Sequence, residues 1–293
     1  MSHRTRPAAA LAVAAVVLTT TTACAAGSSR RAGDMAPSGT GQAAGPAAAA
    51  VARAMAKTDK LNSFAYTMRG REPGDGIAET VDTDGSLSVS PRTLRMRVNV
   101  AADGDAGRME LRKGGDATFL WGGGKHWLKY KTAMLADEQV RHQALFGLEN
   151  EFERNPAEET GQLAAAPDIA RNGTETVGGT TTVHYSGTAT LDQLRRALLG
   201  KPREAQLRGL RLINRYTAWG VRSLNMDLWV DGQDRVRQFR TRADADRPLD
   251  MTTVITRHDE PAPLQAPPTD RTEDLSDLTA IELSKILKQA QGG

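Results

Sequence analysis

The sequence predicts an α+β domain, a single antiparallel sheet with helices set on it. Three observations predict this. Runs of alternating residues recur along the chain, strictly apolar and polar at Thr93–Val100 and with one apolar face at Leu224–Val230. Short Gly- and Asp-containing turns, Gly122–Gly124 and Asp231–Asp234 among them, join such runs into hairpins. Helical periodicity is confined to a few inserts between them. The chain has 293 residues, 39% hydrophobic but only 4% aromatic, so its apolar supply is aliphatic side chains and Met. No apolar run approaches the roughly 20 residues that span a bilayer, which excludes a polytopic membrane protein. Lys and Arg total 38 against 35 acids, a balance that argues against a nucleic-acid-coating protein. One cysteine excludes an internal disulfide framework or a Cys-rich metal site.

The first residues read as an address and a tether. Arg4 and Arg6 form a short positive region, Ala8–Leu18 an apolar core, and small residues lead to Ala23 and Cys24. This is the anatomy of a secretory signal, too short to anchor, and Thr5 between the arginines rules out a twin-Arg signal. Leu18-Thr-Thr-Thr-Thr-Ala-Cys24 resembles a bacterial lipobox with Thr21 where Leu is usual. Ordinary cleavage after Ala25, within Ala23-Cys24-Ala25, is the alternative. Ala25 to Gly45 is rich in Gly, Ser, Ala and Pro, the composition of a flexible spacer. The expected organisation is a signal peptide at 1–23, a tether at 24–45 beginning with lipidated Cys24, a domain at 46–268 and a C-terminal helical extension at 269–293. Such a protein is exported and lipid-anchored on the extracytoplasmic face of the cell membrane.

Within the domain, Pro46–Ser63 reads as an amphipathic helix carrying Val51, Met55 and Leu61. Thr93–Val100 places Leu94, Met96, Val98 and Val100 on one face and Arg95, Arg97 and Asn99 on the other, and Arg108–Leu111 repeats the alternation. Ala117–Trp121 and Lys125–Tyr130 flank the glycine turn. Asp137–Phe152 shows helical spacing through Val140, Ala144, Leu145, Leu148 and Phe152, ending at Asn155-Pro156. Strand character returns at Thr174–Tyr185. Thr190 is the expected N-cap of a helix with Leu191, Leu194 and Leu198, and a second helix covers Glu204–Asn214. Leu224–Val230 and Arg235–Thr241 form a hairpin with Leu224, Met226, Leu228 and Val230 on one face. Met251–Ile255 is the last strand, and Pro261–Pro268 precedes a helix near Ser276–Gln289.

Candidate chemistry is sparse. Gly122-Gly-Gly-Lys125 lacks the spacing and the Ser/Thr of a phosphate loop, His126 standing in that place, and reads as a turn. Asp82-Thr-Asp84-Gly85 lacks the third ligand and distal Glu of a calcium loop and reads as a hairpin turn. The five histidines are dispersed without metal-ligand spacing. No nucleophile elbow is present and Cys24 sits in the spacer, so no catalytic residue, cofactor or metal is expected and the protein is not read as an enzyme. Arg203, Arg208, Arg211, Arg215 and Arg222 gather in one region, either as a solvated helix face or as a contact for anionic headgroups.

The run Val177-Gly-Gly-Thr-Thr-Thr-Val-His184-Tyr185-Ser-Gly187-Thr-Ala-Thr-Leu191 resembles a segment of the LppX/LprAFG type of bacterial lipoprotein, of the LolA-like superfamily. Gly124-Lys-His-Trp127-Leu-Lys129, Asn155-Pro156, Leu228-Trp-Val-Asp231 with Arg235-Val, and Ala262-Pro through Ala266-Pro-Pro268 resemble further parts of it in the same order, so that residues 47–268 are covered. The resemblance implies a strongly curved antiparallel half-barrel whose concave face is covered by helices around an apolar cavity, with lipids or lipoglycans as ligands and Asp137–Phe152 as a lid. From the residues themselves, Leu94, Met96, Val98, Met109, Leu111, Val183, Tyr185, Met226 and Leu228 form an aliphatic, Met-rich face suited to line such a cavity, or else to fill a packed core. The expected function is that of a membrane-anchored extracytoplasmic lipoprotein that binds a lipid or lipidated ligand in an apolar cavity, with lipid transport in the envelope as the use the resemblance implies. The alternative is a protein-interaction or sensor module with an envelope protein partner; nucleic acid is not an expected partner. Lipidation is checked by intact mass of the membrane-fraction protein with and without Cys24→Ala. Acyl mass beyond signal cleavage, lost in the variant, is expected, and its absence contradicts the anchor.

Overall fold

The structure, a computed structural model, describes residues 45–73, 80–89, 92–102, 105–122, 124–137, 140, 159–243, 248–260 and 264–291. The expected signal segment, Cys24, nearly all of the tether and the helix Asp137–Phe152 beyond Asp137 and Val140 lie outside them. Helix α1 (Pro46–Thr58) leads into β1 (Ser63–Arg71), β2 (Thr80–Val89), β3 (Arg92–Ala102), β4 (Asp105–Gly114), β5 (Ala117–Trp121) and β6 (Trp127–Lys131). Two 3₁₀ turns, Thr132–Ala136 and Thr160–Ala165, precede β7 (Ala170–Val177) and β8 (Thr180–Thr190). Helices α2 (Leu191–Ala197) and α3 (Arg203–Ala218) follow, then β9 (Ser223–Asp231), β10 (Val236–Ala243) and β11 (Leu249–His258). A short β12 (Thr272–Asp274) and helix α4 (Ala280–Gln291) end the described chain. No described helix is long and apolar enough to cross a membrane.

The described strands all join one twelve-stranded sheet in the order β12-β6-β5-β4-β3-β2-β1-β11-β10-β9-β8-β7. Neighbours are antiparallel except β12 on β6, and the two outer strands do not pair with each other, so the sheet is an open α+β one as expected. Because side chains alternate along each strand, the register aligns them in rows across the sheet. One row runs from β4 to β8 through Met109, Val98, Thr83, Met68, Thr253, Phe239, Leu228 and Tyr185. None of these is more than 8% exposed. The helices pack on this same face. Ala50, Val51 and Ala54 of α1, Leu163 of the second 3₁₀ turn, Ile213 and Tyr216 of α3 and Leu283 of α4 belong to the hydrophobic cluster that the strands begin.

Close approach shapes the inner face at two glycines. A Cβ on Gly85 would lie 2.5 Å from the Tyr66 ring, whose strand partner it is. A Cβ on Gly187 would lie 2.8 Å from Ala166 and 3.1 Å from Leu163, so its absence lets the 3₁₀ turn settle on β8. Thr190 caps α2 with a full capping box: its hydroxyl accepts from the Gln193 backbone N–H at 3.2 Å, and the Gln193 side chain accepts from the Thr190 N–H at 2.7 Å.

The opposite face is polar and ionic. Glu110, nearly buried, accepts hydrogen bonds from Arg95 at 2.9 Å, Arg97 at 3.2 Å and Arg112 at 2.8 Å. The Arg112 guanidinium also lies 4.5 Å over the Trp127 ring. Burial works to raise the Glu110 pKa, but the hydrogen bonds and charges of Arg95 and Arg112 outweigh it and hold the carboxyl below its ordinary 4.5. The C-terminal segment is fastened to the sheet edge. β12 pairs with β6, Lys129 donates to Asp274 at 2.6 Å, and the Leu275 N–H donates to the Lys129 carbonyl at 2.7 Å. The hydrogen bond from Lys129 brings the Asp274 carboxyl down to about 2.

Three expectations change. Asp82–Gly85 is not a hairpin turn but the middle of β2, paired with both β1 and β3. Its acids point outward to Arg69, Asn99 and Arg97, and its glycine makes room for Tyr66. The strand expected at Thr174–Tyr185 is a hairpin, β7 and β8, turning at Gly178 (φ 55°) and Gly179 (φ 78°), where two consecutive positive φ values favour glycine. Helix α1 ends at Thr58, and Ser63 already begins β1.

Gly85→Ala is expected to cost about 1–3 kcal/mol of unfolding free energy by overpacking. Tyr66→Leu in the same protein should recover part of that, so a double-mutant cycle by urea denaturation reads non-additivity, and strict additivity contradicts the close approach. Glu110→Gln should cost about 1–3 kcal/mol at neutral pH. Because the folded carboxyl is depressed, its stabilisation is full above the unfolded pKa and fades as pH falls through the folded one, so the two proteins converge in acid. A difference that persists undiminished there contradicts the network.

Candidate functional site

The register places all nine residues expected on the apolar face on one side of the sheet. Leu94, Met96 and Val98 stand on β3 opposite Lys113, Leu111 and Met109 on β4, while Val183 and Tyr185 stand on β8 opposite Val230 and Leu228 on β9, with Met226 two residues earlier. Met96, Val98, Met109, Leu111, Tyr185, Met226 and Leu228 are buried, and Leu94 and Val183 are half-buried against the same cluster. Met68 and Met251 join this face from β1 and β11. The face is not wholly apolar. Thr83, Thr118, Thr241 and Thr253 are buried on it, and the Thr83 hydroxyl and the Tyr130 phenol have no hydrogen-bond partner among the described residues. Burial alone pushes the Tyr130 phenol well up.

None of the nine borders the groove that the helices enclose. This groove, of about 450 Å³, lies where the end of α1, the second 3₁₀ turn, α2 and α3 meet. Its apolar walls are Met55 of α1, Leu194 and Leu198 of α2, and Ala205, Leu212 and Ile213 of α3. The spacing of Ala205, Gly209, Leu212 and Ile213 follows the helical repeat, which turns one stripe of α3 toward α2. Gly209 permits the closest approach: a Cβ there would lie 2.5 Å from a Leu198 methyl. The Gln206 side chain donates to the Lys201 carbonyl at 2.8 Å and fixes the link between the two helices.

Charge collects on the rim. Lys201, Arg208, Arg211 and Arg215 border the groove, with Asp59 and Glu159 as the bordering acids. Arg215 is held in place, its Nη1 3.5 Å from Glu72 Oε1 and its guanidinium 5.4 Å over the Trp219 ring. Of the five arginines gathered in the sequence, Arg208, Arg211 and Arg215 therefore border the groove, while Arg203 and Arg222 are exposed beyond it. The apolar walls were missed by the sequence reading as a site, although Met55, Leu194 and Leu198 were visible as helix positions. The signal available was the small-residue stripe of α3 running beside its arginines.

The other cluster with chemical potential is on the outer face. His184 stacks on Trp229 with ring centroids 4.4 Å apart, its Nδ1 2.9 Å from Glu175 and its Nε2 2.9 Å from Asp227. Trp229 donates to Glu175 at 2.8 Å and Arg242 to Asp227 at 2.6 Å. Both ring nitrogens are engaged by carboxylates, so the cluster ties β7, β8, β9 and β10 together and leaves no nitrogen to ligate or relay. Among the described residues, no group of three or more His, Cys, Asp or Glu side chains is placed to hold a metal ion.

No family model matches the sequence, and no curated protein matches it. Among solved structures, the chain is similar to LprF of Mycobacterium bovis at 14% identity and a TM-score of 0.47, covering 75% of this chain and 96% of that one. It is similar to the Mycobacterium tuberculosis lipoprotein LppX at 14% identity and a TM-score of 0.44, covering 75% and 98%. The MucA/MucB complex of Pseudomonas aeruginosa gives 15% identity and a TM-score of 0.33, covering 76% of this chain and 59% of that one. At this identity the likeness is one of chain path, and it assigns neither ligand nor partner to this chain.

Proposed function

We propose that this chain is an extracytoplasmic lipoprotein, held at the membrane through Cys24, that binds a lipid or lipidated ligand. The observation that carries the reading is the groove, with aliphatic walls at Met55, Leu194, Leu198, Leu212 and Ile213 and a cationic rim at Lys201, Arg208, Arg211 and Arg215. Its volume of about 450 Å³ falls within the usual small-molecule range. An acyl chain suits the walls and an anionic or polar head suits the rim. Each buried methylene contributes roughly 0.8 kcal/mol, so a chain of about sixteen carbons supplies on the order of 10 kcal/mol gross, much of it offset by association costs. No directional polar site is needed, in keeping with the absence of catalytic motifs.

The sheet face supports the same reading. Leu94, Met96, Val98, Met109, Leu111, Val183, Tyr185, Met226 and Leu228 form the wall on which the helices rest. We place the continuation of a long acyl chain between that wall and the helix layer. Methionine adapts to irregular partners because its thioether chain is unbranched, and buried hydroxyls without partners mark a face not tuned to fill itself.

Solvent extraction of the purified full chain, followed by mass spectrometry, should recover acyl lipid near one per protein. Ala205→Trp, which fills the groove from α3, should lower that load at least about fivefold with an unchanged thermal midpoint. A lipid-free parent protein, or an equal load in Ala205→Trp, contradicts the reading and moves the weight to a module that binds an envelope protein.

A further inference from the structure

Among the described residues, the exposed large hydrophobic side chains are Leu199, Leu207, Leu210, Ile281 and Ile286. Three of them belong to one hairpin. Leu199, 77% exposed, stands in the link between α2 and α3, and Leu207 and Leu210 stand one helical turn apart on the outer face of α3. The link is tied to α3 by the Gln206–Lys201 hydrogen bond and by Leu198 against Gly209, so Leu199 projects from the same hairpin as the other two. The rest of that outer face is Arg203, Arg211 and Asn214, all exposed, and Lys201 is exposed in the link.

We propose that this hairpin is a membrane-docking surface, with Leu199, Leu207 and Leu210 entering the interface of an anionic bilayer and Lys201, Arg203 and Arg211 lying over its headgroups. Charge complementarity commits the surface to that occupant. Lys201, Arg203, Arg208, Arg211 and Arg215 fall within two turns of the leucines, and Glu204 is the one acid between Leu199 and Arg215. The composition is also that of an interfacial helix, aliphatic side chains flanked by Lys and Arg, whereas the centre of a protein interface is enriched in aromatic rings. The outer face of α3 carries none. Lys201 and Arg211 border both the docking face and the groove, so docking sets the groove mouth against the headgroups. The role in lipid transfer rests on the proposed lipid site; the docking itself does not.

The test uses the full chain carrying Cys24→Ala, so that no acyl anchor contributes, with every comparison made in that background. Flotation with vesicles of phosphatidylglycerol should recover the protein, and vesicles of phosphatidylcholine should recover far less. Each cation close to an anionic surface contributes about fivefold, so Lys201→Glu/Arg203→Glu/Arg211→Glu should weaken binding at least about a hundredfold. Leu199→Ser/Leu207→Ser/Leu210→Ser should weaken it at least about tenfold with circular dichroism and melting unchanged. Equal recovery by both vesicles, or binding untouched by both variants, overturns the proposal. So does a serine variant that breaks up a dimer in sedimentation while vesicle binding persists, since the face would then join two copies of the chain. Uptake of detergent-solubilised phosphatidylglycerol separates this claim from the lipid site. A serine variant that still takes up lipid but no longer floats supports docking. Hairpin-dependent flotation of a protein that takes up no lipid also supports docking, and overturns the lipid site instead.

Discussion

Everything in the molecule depends on one register. Eight strands from β4 to β8 hold their inner residues in step, so that Met109, Val98, Thr83, Met68, Thr253, Phe239, Leu228 and Tyr185 form one buried row. A slip of one residue at any pairing would turn that strand's inner set toward solvent and its arginines toward the core. The ionic ladders of the outer face guard against such a slip, because Glu110 meets Arg95, Arg97 and Arg112, and Asp227 meets His184 and Arg242, only in the native register. Hydrophobic burial drives the sheet together, and the partly buried charge pairs make one alignment the lowest in energy.

The inner row also explains why helices can ride on the sheet with a groove left among them. Most of its side chains are aliphatic, thioether or hydroxyl, with Phe239 and Tyr185 as the rings, and three glycines, Gly70, Gly85 and Gly187, take positions where a side chain would collide. Such a face is smooth, and it meets the helices through small residues, Ala50 and Ala54 on α1 and Ala166 after the 3₁₀ turn. Helices α2 and α3 then pack against each other through Leu198 and Gly209 rather than wholly into the sheet, and the space they share with α1 stays open.

Much of this was legible beforehand. Thr93–Val100 alternates without a break and Leu224, Met226, Leu228 and Val230 share one face, so both inner faces follow from the sequence, and Thr190 precedes the helical spacing of Leu191, Leu194 and Leu198 as an N-cap does. β2 was hidden because its central inner positions, Thr83 and Gly85, are small where Met68 and Tyr66 stand opposite them, and its outer Asp residues imitate a turn. The β7–β8 hairpin was hidden by threonines on both sides of Gly178-Gly179, which read as one continuous strand. The groove was legible only in pieces. Each apolar stripe follows from helical spacing, but their meeting depends on long-range packing between residues more than a hundred positions apart, as at Gly161, where an added Cβ would lie 3.3 Å from the Met55 methyl.

In the proposed function, an acyl chain occupies the space enclosed by α1, α2 and α3. Photolysis of the full chain with a phospholipid carrying a diazirine near the end of one acyl tail, followed by peptide mapping, tests it most directly. Adducts are expected on the segments that bear Met55, Leu194, Leu198, Leu212 and Ile213, suppressed by excess unlabelled lipid. Adducts confined to the outer face around Glu110 and His184, or no labelling above that of a water-soluble diazirine, would contradict it.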